Sequence, residues 1–74
     1  MPRLVPLSSR KVIRALERLG FHFVRQRGSH ASYQHPDGRI VTVPIHPTRD
    51  VARGTLREII RESKVDVEEF LELT

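Results

Sequence analysis

The sequence predicts an α+β fold: a helix, a three-stranded antiparallel sheet with the helices on one face, a second helix and a short extra C-terminal helix. Apolar residues recur at helical spacing in residues 8–19 and again from residue 54. Between them, residues 21–45 alternate apolar with polar side chains and are divided by glycine-containing turns. A chain of 74 residues can bury one core, so we expect residues 1–74 to form a single domain.

The first helix is predicted to follow an extended lead-in, residues 1–7. Ser8 or Ser9 can cap its N-terminus, and Gly20 is expected to end it. Its core-facing residues are Val12, Ile13, Leu16 and Leu19. The opposite face presents three cations that either contact phosphates or simply keep the helix soluble. These cations are Lys11, Arg14 and Arg18.

Residues 21–26 predict the first strand, with Phe21 and Phe23 pointing into the core. The loop to the next strand can contain two or three residues. A three-residue loop, residues 27–29, puts Phe23 opposite Tyr33, whereas a two-residue loop would put it opposite a polar side chain. We therefore expect the three-residue loop.

A hairpin is predicted to join residues 30–35 to residues 39–45 through a Pro-Asp-Gly turn. Matching polarity across this hairpin pairs His30 with Pro44. The residues that then face the helices are Ala31, Tyr33, Val41, Val43 and Ile45. The side chains on the other, open face are His30, Ser32, Gln34 and Thr42. By the same parity, His46 projects on the side of His30 near the same end of the sheet.

The second helix is predicted to begin at Gly54-Thr55 and to end at Val65-Asp66. Its apolar stripe consists of Leu56, Ile59 and Ile60. Asp66 and Glu69 have the spacing of a capping box, which predicts a short acidic helix after them. The apolar residues of that helix are Val67, Phe70, Leu71 and Leu73.

Positive charge is concentrated in the first part of the chain. The net charge is +4, but residues 1–30 hold seven Arg or Lys against one acid, whereas residues 54–74 hold three against six. A basic half is typical of a surface that binds a polyanion such as nucleic acid, although it can also be a solvated surface.

The composition also limits the compartment. Cysteine is absent, which excludes disulfides and thiolate metal sites and fits a reducing cytoplasm. No apolar run approaches the ~20 residues that cross a bilayer, and the N-terminus lacks the apolar core of a signal peptide. We therefore expect a soluble, cytoplasmic protein with no membrane partner.

His30 is the candidate catalytic residue, because the turn formed with Gly28 delivers it to the start of a strand. An imidazole can accept and donate a proton near neutral pH. The alternative is the common role of a strand histidine, a half-buried polar side chain. The four histidines are not grouped with carboxylates, so we expect no metal site. Ser29 lacks the orienting acid that a nucleophile and base would need.

His30 therefore suits a substrate that brings its own nucleophile. RNA is such a substrate, since its 2′-hydroxyl lies beside the scissile phosphate and needs deprotonation, positioning and charge neutralisation. The candidate cations for neutralisation are Arg25, Arg27, Lys11, Arg14 and Arg18.

Several short motifs follow one another in a specific order along the chain. They are Leu19-Gly20-Phe21, Gly28-Ser29-His30 with Tyr33, His35-Pro36-Asp37-Gly38, Val41 to Pro44 with His46, and Gly54-Thr55-Leu56 with Ile59 and Ile60. In this order, from about residue 8 to residue 73, the chain resembles the HicA family of toxin–antitoxin proteins. The resemblance implies a fold like that of a double-stranded RNA-binding domain. It also implies an mRNA-cleaving ribonuclease whose catalytic residue is the histidine of the Gly-Ser-His motif, and a HicB-type antitoxin that covers this histidine.

Only His30 is carried over from the resemblance as catalytic. Gly28 and Ser29 match the motif and are interpreted as loop formers first and as backbone contacts to phosphate second. His46 also matches and is a weaker, auxiliary candidate. We thus expect a metal-independent endoribonuclease toxin that acts on mRNA without a small-molecule cofactor. The alternatives are a non-catalytic module that binds structured RNA and a protein-only interaction domain.

Overall fold

The computed structural model describes residues 3–74. Within this range a helix is followed by three strands and two helices, which confirms the predicted fold class. The elements are α1 (Ser9–Arg18), β1 (His22–Arg27), β2 (His30–Gln34), β3 (Ile40–Pro44), α2 (Arg53–Ser63) and α3 (Val67–Glu72). The sheet is antiparallel, with the strands in the order β1-β2-β3. The first two residues of the predicted lead-in, Met1 and Pro2, lie outside the described residues.

Helix α1 begins as predicted. The Oγ of Ser8 accepts a hydrogen bond of 3.2 Å from the backbone N–H of Lys11, so Ser8 is the N-cap. Gly20 follows the C-cap residue with a φ of 102°, a conformation that favours glycine. The buried residues of the helix are Val12, Ala15 and Leu16.

The segment before α1 contributes to the core, which the prediction of a simple lead-in missed. Leu4 is buried within the central apolar cluster. Leu7 exchanges two backbone hydrogen bonds with Val51, of 3.3 and 2.6 Å, in an isolated antiparallel bridge. This bridge fastens the N-terminal segment to the loop before α2.

The register of β2 against β3 is the predicted one. The Cα partners include His30 with Pro44, Ser32 with Thr42 and Tyr33 with Val41. At the turn, the N–H of Gly38 donates to the carbonyl of His35 and the N–H of His35 donates to the carbonyl of Arg39, both at 2.9 Å. Both strands are slightly shorter than predicted, since β2 ends at Gln34 and β3 spans Ile40–Pro44.

The predicted loop between β1 and β2 is one residue too long. Arg27 pairs with His30, so only Gly28 and Ser29 lie in the turn. The expected pairing of Phe23 with Tyr33 is nevertheless present. The shorter turn and the expected pairing are compatible because β1 contains one residue that has no partner in β2.

That extra residue is Val24. The register shifts between Phe23 and Arg25, which leaves Val24 in a β-bulge. A bulge keeps the pairing on one side of it while moving the other side by one position. The residue that the prediction placed in the loop therefore lies within β1.

The prediction that both phenylalanines enter the core is wrong for one of them. Phe21 is 2% exposed, but it lies just before β1. Phe23 is 54% exposed and makes an edge-to-face contact with the ring of Tyr33 at 5.8 Å between centroids. All six residues of β1 are exposed, because α1 and α2 pack against β3 rather than over β1.

The core therefore lies between the helices and one face of β2 and β3. Alternate strand residues point into it, as the hairpin register predicted, and they are Ala31, Tyr33, Val41 and Val43. The helices contribute Val12, Leu16, Leu56, Ile59, Ile60 and Phe70. The opposite face of the sheet is left open.

The two C-terminal helices occur where predicted, with different ends. Helix α2 begins at Arg53, and Lys64 caps its C-terminus in the left-handed conformation with a φ of 58°. Helix α3 follows Asp66, but the Asp66 side chain makes no capping hydrogen bond, so the predicted capping box is wrong. Buried Phe70 anchors α3 to the core.

Candidate functional site

His30 lies on the open face of the sheet. It is the first residue of β2, it is exposed, and its neighbour Ala31 is buried on the opposite face. The turn before it depends on Gly28, whose φ of 55° is in the left-handed region, whereas the space around a Cβ there would be free. The predicted outward orientation of His30 is therefore what the structure has.

Two arginines of β1 share this face with His30. Residues directly opposite in antiparallel strands project to the same side, and Arg27 is the register partner of His30. Arg25 is the partner of Ser32, two residues further along β2. Within residues 3–74, neither arginine forms an ion pair with a carboxylate. We call His30, Arg25 and Arg27 the open-face cluster.

Gly28 and Ser29 hold the turn that positions this cluster. The side-chain amide of Gln26 donates to the carbonyl of Gly28 at 2.9 Å. The N–H of Ile45 donates to the carbonyl of Ser29 at 2.5 Å, which ties the turn to the end of β3. Both carbonyls are thus engaged in local structure, in agreement with the interpretation of these residues as loop formers.

The cations of α1 are in a different place. Nη1 of Arg14 donates to the carbonyl of Thr74 at 3.3 Å, and Nη1 of Arg18 donates to the carbonyl of Leu73 at 3.0 Å. These contacts satisfy carbonyls after α3 that have no partner within the helix. Lys11 is exposed on the same helix. The basic residues that the sequence analysis treated as one set are therefore divided between the helical layer and the open face.

His46 is exposed in the loop after β3, two residues beyond Pro44, which is the register partner of His30. It lines a surface depression of about 510 Å³ that also reaches the start of α1. The hydrogen bond between Ile45 and Ser29 connects this loop to the turn before His30. Its predicted auxiliary role stays a prediction.

A polar cluster at the other end of β2 escaped the sequence analysis. Both carboxylate oxygens of Asp37 accept from Nε of Arg39, at 3.1 and 2.9 Å, and hydrogen bonds from Arg39 hold the pKa of Asp37 below its ordinary value. Nδ1 of His35 lies 3.1 Å from both the backbone N–H and the carboxylate of Asp37. Since the N–H must donate, Nδ1 is the acceptor in this hydrogen bond.

This cluster fastens the hairpin turn to the helices. Nη1 of Arg39 donates to the carbonyl of Ser63 at the end of α2. The guanidinium lies 5.1 Å from the ring centroid of Phe21, and the His35 ring meets the edge of Phe21 at 5.3 Å. The only signal in the sequence is an acid and an arginine two residues apart around a glycine turn, and that pattern points to a turn rather than to a site.

Other kinds of site find no support in the described residues. Residues 3–74 contain no group of three or more His, Cys, Asp or Glu side chains that could hold a metal ion. In the same range, no helix has the length and apolarity to cross a bilayer.

A family model matches most of the chain. The family model described as HicA toxin of bacterial toxin–antitoxin matches residues 9–65, which includes the open-face cluster, the hairpin and α2. A search of the curated proteins found no match. Since the family model covers most of the 74 residues, the chain belongs to the HicA family of toxins from bacterial toxin–antitoxin systems.

Proposed function

We propose that this protein is a metal-independent endoribonuclease that cleaves mRNA with His30 as general acid/base. The observation that carries the proposal is the exposed imidazole at the start of β2, directly opposite Arg27 on the face that the helices leave open. Membership of a toxin family supports a role in which the activity arrests growth.

The chemistry needs only one proton-transfer group because RNA supplies the nucleophile. His30 accepts the proton of a 2′-hydroxyl, the 2′-oxygen attacks the adjacent phosphorus, and the bond from phosphorus to the 5′-oxygen breaks. The 5′-oxygen takes a proton from the imidazolium or from water. The products carry a 2′,3′-cyclic phosphate and a 5′-hydroxyl. No metal-bound water is required as nucleophile, since the attacking oxygen belongs to the substrate.

The two arginines of the open-face cluster supply the second requirement, stabilisation of negative charge. Guanidinium groups donate hydrogen bonds in a planar fork that suits phosphate oxygens. Arg27 and Arg25 are exposed and free of carboxylate partners among the described residues, so they are available to the phosphorane. General acid–base catalysis by one histidine contributes about 10²–10⁴-fold, which is consistent with a modest enzyme.

The family implies an antitoxin partner, and we infer that a HicB-type antitoxin masks His30. A basic surface is best blocked by a protein that presents acidic groups to it. Hydrogen exchange in a toxin–antitoxin complex should show protection of β1 and of the turn before β2. A complex in which His30 and its neighbours exchange as in the free toxin would contradict this inference.

The test of the activity is an RNA cleavage assay in excess chelator. Wild-type protein should cleave single-stranded RNA, and His30→Ala should lower the rate by at least about 10²-fold. His22→Ala is the matched control, because His22 is an exposed histidine at the far end of β1, and it should retain the wild-type rate. Equal activity of His30→Ala and wild type would refute the role of His30.

The same assay separates the alternatives. Tight RNA binding by the wild type without cleavage would favour a binding module. Absence of any salt-dependent affinity for RNA would favour a protein-only interaction domain.

A further inference from the structure

A polar depression lies between the start of α1 and the loop that follows β3. Its volume is about 510 Å³, and its lining includes Ser9, Arg10, His46, Thr48, Arg49 and Asp50. We call it the His46 cleft. The site proposed above does not use its arginines or hydroxyl groups.

The His46 cleft lies close to the reacting end of the sheet. Pro44 is the register partner of His30, and His46 is two residues beyond Pro44. Two Cα–Cα steps of about 3.8 Å and one cross-strand distance of about 5 Å place the two histidine Cα atoms within about 13 Å of each other. An RNA strand that lies against His30 can therefore continue into the cleft.

The chemistry of the lining suits a phosphodiester. Arg10 and Arg49 are exposed, and neither forms an ion pair within residues 3–74, although Asp50 is also in the lining. The lining holds two guanidinium groups and one carboxylate, so its net charge is positive. The hydroxyl groups of Ser9 and Thr48 can donate further hydrogen bonds to phosphate oxygens.

We propose that the His46 cleft binds a backbone phosphate of the RNA strand that flanks the phosphate cleaved at His30. The proposal rests on the proposed function for its ligand. It assigns Arg10 and Arg49 to binding of a non-reacting phosphate, whereas Arg25 and Arg27 serve the reacting one. Substrates that extend past the cleaved bond on this side should therefore be preferred.

Binding can be measured without cleavage in the His30→Ala background. A fluorescent single-stranded RNA should bind Arg10→Gln and Arg49→Gln about tenfold more weakly than the parent, since each loses one charged hydrogen-bond donor. The slope of log K against log salt should decrease by about 0.7 for each lost contact. Asp50→Asn should tighten binding, because it removes the one carboxylate from the lining.

The matched control is Arg57→Gln, which removes the same charge from an exposed position of α2 outside the cleft. It should keep the parent affinity and salt slope. Circular dichroism and thermal unfolding check that each variant is folded. Equal effects of Arg57→Gln and Arg49→Gln would mean that net charge alone attracts RNA, and the cleft assignment would be wrong.

Cleavage gives an independent readout with His30 intact. The ratio of kcat/KM for a longer RNA to that for a dinucleotide should decrease about tenfold in Arg49→Gln, because the dinucleotide has no flanking phosphate. If the wild type cleaves nothing, the proposed function fails while the binding measurement still decides the cleft. If the wild type cleaves and the ratio is unchanged in Arg49→Gln, only the cleft assignment fails.

Free phosphate is the other source of the same ligand chemistry. Inorganic phosphate titrated at constant ionic strength should change the NMR signals of the His46 ring only weakly compared with RNA. Saturation by inorganic phosphate at lower concentration than by RNA would assign the cleft to free phosphate and overturn the proposal.

Discussion

Replacing Gly20 with alanine tests how the end of α1 packs against the hairpin. Gly20 has a φ of 102°, and a Cβ there would lie 3.0 Å from Nε2 and 3.2 Å from Cδ2 of His35. The imidazole cannot withdraw freely, because it lies against the edge of the Phe21 ring and accepts a hydrogen bond from the N–H of Asp37. The substitution therefore both strains the backbone at Gly20 and places the new methyl group in close contact with the His35 ring.

The two contributions can be separated with Gly38, which has a φ of 101°. No atom of residues 3–74 lies within 4 Å of the position that an added methyl group would take there. Gly38→Ala should lower the free energy of unfolding by about 1–2 kcal/mol through the backbone alone. The contact with His35 adds about 1–3 kcal/mol in Gly20→Ala, as overpacking does elsewhere. Gly20→Ala should thus lose about 2–5 kcal/mol.

Urea unfolding of both variants, alone and with His35→Ala, measures the difference. In the His35→Ala background Gly20→Ala and Gly38→Ala should become nearly equal. RNA cleavage per folded molecule should be retained, because His30 lies five residues from His35 along the strand, about 17 Å away. Equal losses in the native background would refute the packing of His35 on Gly20.

Burial and the nearby carboxylate of Glu17 raise the pKa of Tyr33, so the free energy of unfolding should fall as pH rises above about 10. Because Tyr33 is the only tyrosine in the sequence, its absorbance reports this titration directly. A Tyr33→Phe variant with the same pH dependence would contradict this cause. Arg27→Gln should weaken RNA binding about tenfold in fluorescence anisotropy. Arg18→Gln should weaken it less, since Arg18 already donates a hydrogen bond to a C-terminal carbonyl. Equal losses would argue against separate roles for the arginines of the open face and those of α1. Phe70→Ala should lower the free energy of unfolding by about 3–5 kcal/mol in urea titrations, because the ring is fully buried, and a loss below about 1 kcal/mol would show that α3 does not anchor the core.

The hairpin of β2 and β3 could be predicted from the sequence because its polarity pattern has one consistent register. When His30 pairs with Pro44, the core-forming side chains of both strands lie on the same face of the sheet. A slip of one strand by one residue would turn its core-forming side chains to the exposed face. The outward position of His30 followed directly. Local alternation and turn chemistry were sufficient here.

The sequence-based predictions were wrong where the position of a side chain depends on tertiary packing. Phe23 alternates like a core residue, but within residues 3–74 the helices pack against β3 rather than over β1, so the ring is exposed. Likewise, Arg18 was grouped with Arg27 on the basis of spacing alone. In the structure Arg18 donates a hydrogen bond to the C-terminal segment, and local sequence does not encode where that segment lies. The bulge at Val24 was missed because a loop of three residues and a loop of two with a bulge predict the same pairing of Phe23.

The placement of β1 outside the helical layer separates two demands on this small protein. Its six residues are all exposed, and the buried cluster draws on the other strands and the helices. If the proposed function is right, we expect substitutions of the exposed side chains of β1 to change RNA binding more than they change the free energy of unfolding. We therefore expect the residues that select a substrate to tolerate substitution better than the buried residues that hold the fold.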